Sequence, residues 1–219
     1  MDLKTKIPFT DQTFYNATSS QANKNKVNNV IKPKYGSIVS NISKLTNVPE
    51  AVLYSFIFIE SGGDETAHTP YAEGLLQLSP ATASDALIYE QGKGRISDPE
   101  AAILKKYLGD RYDLIAAVKP NQKTIGKTFI TNDDLKIPEL NILIGAILIG
   151  QLSAEFTENN AVRYDKIAVV YNTGRFSKVG KQAMAQVGTT DELIDLMPAG
   201  QSDYIKKLVG KEGLLDSLV

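Results

Sequence analysis

The sequence contains no cysteine and only one histidine, His68, among its 219 residues. Without thiols the chain has no cysteine nucleophile, no thiolate metal site and no disulfide. A zinc motif that needs two histidines, such as H-E-x-x-H, cannot form within one chain. A Ser-His-Asp triad would have to use His68, and the G-x-S-x-G motif that often presents such a serine is absent. The sequence therefore excludes thiol chemistry and metal sites that need thiolates or two histidines.

An excess of one charge and a long hydrophobic run are also missing. Lys and Arg number 24, Asp and Glu number 25, and the formal net charge is -1. Such a chain has no overall field that would attract nucleic acid. The longest apolar stretch, residues 142–150, is about half of the roughly 20 residues that cross a bilayer. The first twenty residues have no apolar core of a signal peptide. We therefore predict no nucleic-acid partner, no membrane span and no signal peptide.

The chain divides by composition into a polar beginning and a helical remainder. Apolar residues make up 42% and charged residues 22%, as in ordinary globular proteins, and the length allows a core without cross-links. Residues 1–34 are rich in Asn, Lys, Gln, Ser and Thr, which predicts a polar arm or linker that could tether the protein to a larger assembly. Residues 35–219 are predicted to form one mainly α-helical domain with a few short strands.

Capping residues mark the expected helices. Helix starts are predicted at Ser37, Pro49-Glu50, Ser79-Pro80, Asp98-Pro99, Pro138, Tyr164, Thr190 and Ser202. Between residues 109 and 137 the pattern is mixed, and turns are expected at 119–121 and 131–133.

The segment EAVLYSFIFIES, residues 50–61, carries the residue of greatest chemical interest. Its β-branched and aromatic residues would suit a buried strand, but the Pro-Glu start and the Gly-Gly end favour a buried helix. Glu60 then lies at the helix C-terminus beside Phe56 and Ile57. Burial and the negative end of the helix dipole both disfavour the charged carboxylate, as a general acid requires near neutral pH. The alternative interpretation is a solvated glutamate in the last turn.

Five short motifs follow one another along the chain. They are Glu60-Ser61-Gly62-Gly63, then Gly74-Leu75-Leu76-Gln77 with Pro80-Ala81-Thr82-Ala83, then Pro138-Glu139-Leu140-Asn141-Ile142 with Gly145, then Ala168-Val169-Val170-Tyr171-Asn172-Thr173-Gly174, and finally Ser202-Asp203-Tyr204-Ile205-Lys206-Lys207. In this order and spacing they resemble the soluble lytic transglycosylases, a family of peptidoglycan-cleaving enzymes. The resemblance covers about residues 35–209 and implies a lysozyme-like helical fold.

The resemblance also implies a role for each site residue. Glu60 would be the single catalytic acid and then the base, and Tyr171 would position or polarise it. Gln77 would hydrogen-bond a sugar near the cleaved bond, Asn172 would contact the substrate, and Ser61 would support the loop. The expected substrate is the β-1,4 bond between N-acetylmuramic acid and N-acetylglucosamine in peptidoglycan glycan strands. The expected product carries a 1,6-anhydro ring. The resemblance implies a reaction that needs one carboxyl, where most glycosidases pair two, and no metal or cofactor.

A muramidase on the same fold is the first alternative. The loop that follows Glu60 carries Asp64, Glu65 and Glu73. If one of these carboxylates held a water molecule on the far face of the sugar, the glycosidic bond would be cleaved by hydrolysis and the product would have a reducing end. His68 lies in the same loop; an exposed loop histidine is the simpler interpretation, and contact with substrate is the alternative.

A glycan-binding virion component without catalytic activity is the second alternative. Tyr71 stands where the family has glycine, and Ser79 where methionine is common. The substrate class places the action of the protein at the bacterial cell wall. Because no signal peptide is predicted, one expectation is a bacteriophage protein that is carried in the virion or released at lysis. The alternative is a leader that this sequence does not include.

Overall fold

The computed structural model describes residues 7–118 and 128–218, and the chain forms two compact units. The central unit comprises residues 34–151, and the terminal unit comprises residues 1–33 together with 152–219. Both are built mainly from helices, and the described strands are short. The mainly α fold class is thus confirmed. The division differs from the single domain predicted over residues 35–219, because the first 33 residues group with the C-terminal part of the chain.

The secondary-structure elements run as follows. The terminal unit begins with strand β1 (Thr10–Thr13), helix α1 (Ala17–Lys26) and a π-helical turn (Val27–Ile31). The central unit contains α2 (Lys32–Thr46), α3 (Glu50–Ser61), α4 (Pro80–Gly92), α5 (Asp98–Leu108), α6 (Asp110–Ala116), α7 (Asn132–Leu135) and α8 (Pro138–Glu155), of which α2 begins and α8 ends in the terminal unit. The terminal unit continues with β2 (Thr157–Glu158), β3 (Ala161–Val162), α9 (Tyr164–Thr173), α10 (Lys178–Ala185), α11 (Thr190–Leu196), α12 (Ala199–Val209), β4 (Gly210–Lys211) and α13 (Leu214–Leu218).

Helix α3 settles the choice between strand and helix for residues 50–61. It begins directly after Pro49, whose carbonyl accepts the backbone N–H groups of Val52 and Leu53. It ends at Gly62, which adopts a left-handed conformation with φ 62° and donates its N–H to the carbonyl of Phe58. Residues 52–57 are all buried, so the helix is enclosed on most sides. The predicted helix is confirmed, and local backbone signals set both of its ends.

Four other helix starts also lie where the sequence predicted them, among them that of α9 at Tyr164. Ser79 Oγ accepts the backbone N–H of Thr82 at 3.0 Å and caps α4. Helix α5 begins at Asp98, with Ser97 and Glu100 forming a reciprocal capping box. Helix α8 begins at Pro138. These starts depend on residues within one turn of the helix end, which is why the sequence alone identifies them.

Several predicted starts are wrong. Ser37 lies inside α2, which has already begun at Lys32. Helix α11 begins at Thr190, but its capping residue is Thr189, one residue before the predicted cap. Ser202 lies inside α12, and its hydroxyl donates to the carbonyl of Ile194 at 2.7 Å. A serine can cap a helix or join two helices, and the neighbouring element decides between these roles.

The polar arm predicted for residues 1–34 is ordered structure from Thr10 onward. Strand β1 pairs in parallel with β4, with Thr10 opposite Gly210. Asn16 caps α1 by accepting the backbone N–H of Ser19 at 2.8 Å, and the hydroxyls of Ser20 and Ser217 lie 2.9 Å apart. Residues 1–6 lie outside the described part. The composition of this segment misled the prediction because its order comes from pairing with the C-terminal elements.

Each unit contains a buried aspartate that is paired with an arginine. In the terminal unit, the fully buried Asp165 accepts hydrogen bonds from the buried Arg163, with Nη2 to Oδ2 at 2.7 Å, and from Thr190 Oγ1 at 3.1 Å. In the central unit, the buried carboxylate of Asp134 accepts hydrogen bonds from the guanidinium of Arg111, one of them at 2.8 Å. Each carboxylate is paired, as buried charge requires.

The segment between residues 109 and 137 contains α6 and α7. The turn predicted at 119–121 lies outside the described residues, and residue 131 caps α7. Within residues 7–118 and 128–218, no helix is both long and apolar enough to cross a membrane.

Candidate functional site

Glu60 and Ser61 occupy the C-terminal turn of α3. Glu60 is half-buried, and Phe56 and Ile57, one turn earlier, are fully buried. The Ser61 hydroxyl donates to the carbonyl of Ile57 at 3.1 Å and accepts the backbone N–H of Gly63 at 3.1 Å. Ser61 therefore joins the end of the helix to the loop that follows. The carboxyl of Glu60 is carried on an apolar, enclosed helix, which gives it a rigid support.

The first part of the loop after α3 is held by two carboxylates. Asp64 Oδ1 accepts hydrogen bonds from the hydroxyl and the backbone N–H of Thr66, and these bonds lower the pKa of Asp64. Glu65 Oε2 accepts the Tyr35 hydroxyl at 2.7 Å and lies 3.2 Å from Lys34 Nζ. These two partners, Tyr35 first, lower the pKa of Glu65. Both carboxylates thus fasten the loop in their ionised form.

Glu73 is the third carboxylate of the loop, and it is buried, with 3% of its surface exposed. Its Oε1 lies 2.6 Å from Nδ1 of His68, whereas its Oε2 is buried and has no hydrogen-bond partner in the described part of the chain. The backbone of Glu73 pairs with His68 on one side and Leu78 on the other. Glu73 is therefore the centre of this loop rather than a surface charge.

Gln77 lies at the end of the tight turn formed by residues 74–77. Its backbone has a positive φ of 43°, and its side-chain Nε2 donates to the carbonyls of Ala67 and Gly74, both at 2.9 Å. The amide nitrogen therefore holds the loop together. No group in the described residues donates a hydrogen bond to its Oε1, so the remaining hydrogen-bonding capacity of this amide is that of an acceptor.

Asn141, in α8, joins the second and third motifs. This fully buried amide accepts the backbone N–H of Leu76 at 2.8 Å and donates to the carbonyls of Glu73 at 3.0 Å and Leu135 at 2.8 Å. Gly74 is required here because its φ is 76° and a Cβ would lie 2.2 Å from the Leu135 carbonyl oxygen.

Gly145, one turn further along α8, has a related function in packing. A Cβ at this position would lie 2.2 Å from Cδ1 of Leu76. The absence of a side chain therefore allows the turn that carries Gln77 to pack closely against α8. Two residues of one motif, Asn141 and Gly145, thus fix the position of the other motif by a hydrogen-bond set and by steric fit.

Tyr171 and Asn172 lie in the terminal unit, in the last turn of α9. Tyr171 is half-buried and Asn172 is exposed. Asn172 Oδ1 accepts a hydrogen bond from Gln201 Nε2 at 3.2 Å. Helix α9 ends at Gly174, whose φ is 78° and whose N–H reaches the carbonyl of Val170. The predicted site residues are thus divided, with Glu60, Ser61 and Gln77 on the central unit and the tyrosine-asparagine pair on the terminal unit.

Two features of the site were not predicted from the sequence, namely the pairing of His68 with Glu73 and the anchoring function of Asn141. A Thr-Pro-Tyr-Ala turn between His68 and Glu73 could have predicted that the two residues meet. A single amide within the apolar run of α8 could have identified Asn141 as a buried polar anchor. In the described residues no three His, Asp or Glu side chains are grouped so as to hold a metal ion. Comparisons with models of known protein families and with curated proteins find no match to this chain.

Proposed function

We propose that the protein is a lytic transglycosylase that cleaves the β-1,4 bond between N-acetylmuramic acid and N-acetylglucosamine in peptidoglycan. The observation that carries the proposal is the support of Glu60. Glu60 is half-buried, lies in the last turn of an enclosed apolar helix and is followed by a loop fixed at Ser61, Glu65 and Gln77. Catalysis by a single acid requires such a rigidly held carboxyl. The lysozyme-like version of the helical fold is part of the same proposal.

The reaction follows from one carboxyl that acts twice. Protonated Glu60 gives its proton to the glycosidic oxygen as the bond from that oxygen to muramyl C1 breaks. The acetamido oxygen of the muramyl residue stabilises the cationic centre at C1. The Glu60 carboxylate then takes the proton of the muramyl C6 hydroxyl, whose oxygen bonds to C1 and closes the 1,6-anhydro ring. The proton returns to Glu60, so no water molecule is consumed.

The other loop carboxylates support this mechanism over a hydrolytic one. A hydrolase would need a second group to hold the attacking water. Asp64 is bonded to Thr66, Glu65 to Tyr35, and Glu73 is buried against His68. With all three engaged in building the loop, the proposal assigns no water-activating carboxylate. The proposed site of action is the bacterial cell wall, where the substrate lies.

Digestion of purified peptidoglycan tests the proposal. The wild-type protein, the Glu60→Gln variant and the Glu50→Gln variant are compared, and the soluble products are resolved by mass. Glu50 is the matched control because it is an exposed glutamate at the opposite end of α3. We expect anhydro-muropeptides from the wild type and from Glu50→Gln. Glu60→Gln should lose about 10²–10⁴-fold in rate, the usual contribution of general acid-base catalysis.

Each other result identifies a different function. Products heavier by one water molecule, with reducing ends, would make the protein a muramidase. Binding of peptidoglycan without any soluble product would support a glycan-binding virion component. Undiminished cleavage by Glu60→Gln would refute the assignment of Glu60.

A further inference from the structure

The six residues before the Gly74–Gln77 turn form a tight hairpin. His68 and Glu73 pair as antiparallel neighbours, and the backbone N–H of Thr69 donates to the carbonyl of Ala72 at 2.9 Å. The Thr69 hydroxyl also accepts the backbone N–H groups of Tyr71 at 3.3 Å and Ala72 at 3.0 Å. The tip of this hairpin is thus fixed by its own hydrogen bonds. Binding of a ligand to this tip would therefore cost little conformational entropy of the hairpin.

The hairpin does not need the side-chain pair of His68 and Glu73 to close. Burying a carboxylate is costly, and here one oxygen, Oε2, is buried without a hydrogen-bond partner among the described residues. The backbone bonds at Thr69 already close the turn. What the pair adds is the orientation of an imidazole whose side chain is 60% exposed. With Nδ1 bonded to Glu73, Nε2 is the ring nitrogen that can meet a ligand.

Tyr71 occupies the tip of the same hairpin, with 83% of its surface exposed. Its backbone N–H donates to the Thr69 hydroxyl, so the backbone that carries the ring is fixed. Aromatic rings provide a large contact area at small entropic cost, and their flat faces suit the C–H faces of pyranose rings. The chain runs from this tip through Glu73 directly into the turn of Gln77.

We propose that the hairpin 68–73 is a saccharide-binding element of the site. The Tyr71 ring stacks on the face of a pyranose of the glycan strand, and His68 Nε2 accepts a hydrogen bond from a sugar hydroxyl. Glu73 is a positioning residue that holds the imidazole. This inference rests on the proposed function, because it assigns contacts with the same peptidoglycan substrate. It makes Tyr71, which replaces the family's usual glycine, a determinant of substrate binding.

Sedimentation with insoluble peptidoglycan tests the stacking contact in the Glu60→Gln background, where cleavage does not interfere. Tyr71→Ala should weaken binding by about 3–10-fold, the equivalent of one aromatic contact. Tyr71→Phe, which keeps the ring, should bind as the parent does. Leu114→Ala is the control, because Leu114 is an exposed apolar residue on α6 of the same unit. In the active background, Tyr71→Ala should raise KM while kcat is unchanged.

His68→Asn separates contact with substrate from a structural function. The Asn amide can donate to Glu73 from the position of Nδ1, but it has no atom at the position of Nε2. We expect an unfolding midpoint near that of the parent and binding weakened by about 3–10-fold, as for loss of one hydrogen bond. If Glu73 acts through His68, Glu73→Gln should weaken binding alone but not further when combined with His68→Asn.

The outcomes distinguish this inference from the proposed function. If the wild type cleaves peptidoglycan while Tyr71→Ala and His68→Asn bind like Leu114→Ala, the hairpin is not a binding element and only the inference fails. If the wild type does not cleave and the Glu60→Gln protein does not sediment with peptidoglycan, the proposed function fails and the inference fails with it.

Discussion

Replacement of Asn141 by alanine should be among the most damaging single changes in the central unit. The amide of Asn141 makes three hydrogen bonds, to the N–H of Leu76 and to the carbonyls of Glu73 and Leu135. These three partner residues are all buried, so water cannot replace the lost amide without opening the packing. The alanine variant leaves backbone groups unpaired and a cavity in place of the amide.

The size of the effect follows from these contacts. A buried polar group that loses its partner costs about 1–3 kcal/mol, and groups in one network are not additive. We therefore expect Asn141→Ala to lower the free energy of unfolding by about 4 kcal/mol. That is a large part of the roughly 5–15 kcal/mol available to a domain. The Gln77 turn also loses its attachment to α8, so peptidoglycan cleavage should fall in conditions where the variant is still folded.

Urea unfolding followed by far-ultraviolet circular dichroism and by tyrosine fluorescence provides the assay, since the chain has 10 tyrosines and no tryptophan. With a slope of about 2 kcal/mol per molar urea, the midpoint should fall by about 2 M. Asn132→Ala is the matched control, because Asn132 is exposed at the start of α7. It should change stability by less than about 0.5 kcal/mol. Equal midpoints for the two variants would refute the anchoring function of Asn141.

Three further predictions follow from packing and charge. Gly145→Ala should lower the free energy of unfolding by about 1–3 kcal/mol through overpacking. Gly150→Ala, on the same helix, should raise it by up to about 1 kcal/mol, because the new Cβ would meet nothing closer than 3.6 Å. A higher melting temperature for Gly145→Ala than for Gly150→Ala would contradict this. Asp165→Ala removes the acceptor of Nε and Nη2 of the buried Arg163, whose Nη1 keeps its bond to Glu158. We expect it to lower the free energy of unfolding by about 3 kcal/mol in a urea titration, whereas the exposed Asp195→Ala should have a negligible effect. Burial raises the pKa of Asp134, but hydrogen bonds from its arginine and threonine partners outweigh it and lower the pKa overall. The stabilisation by the Asp134 carboxylate is therefore present above about pH 3.9 and is lost as the pH falls through the lower pKa of the folded state. Asp134→Asn should be less stable than the wild type at neutral pH and should lose less stability on acidification. Parallel plots of unfolding free energy against pH would contradict this.

The candidate site shows which features a motif can and cannot predict. The motif Glu-Ser-Gly-Gly identified Glu60 at a helix end, because the apolar run before it and the glycines after it act locally. The motif that contains Gln77 suggested a side chain directed at a sugar. In the structure, the amide nitrogen of Gln77 holds the loop, because the carbonyls of Ala67 and Gly74 lie within hydrogen-bond distance. The position of those carbonyls depends on the course of the loop, which no spacing in the sequence reveals.

Residues 10–33 show that composition can also fail to predict ordered structure. Their polar composition predicted an arm, and the mean properties of the segment gave no reason to expect a helix. The structure pairs β1 with β4 and brings Ser20 beside Ser217, about two hundred residues away in sequence. A short polar helix gains its stability from such contacts rather than from its own propensity.

The sequence by itself determined the helical class, both ends of α3, the starts of α4, α5, α8 and α9, and the position of Glu60 at a helix terminus. These depend on prolines, glycines and capping side chains that act within one turn of the backbone. Only the tertiary structure decided that residues 10–33 join the C-terminal elements, that Glu73 is buried against His68, and that Asn141 anchors the turn of Gln77. The reason is physical: the state of a polar side chain is set by which distant groups surround it, and only the folded chain brings those groups together.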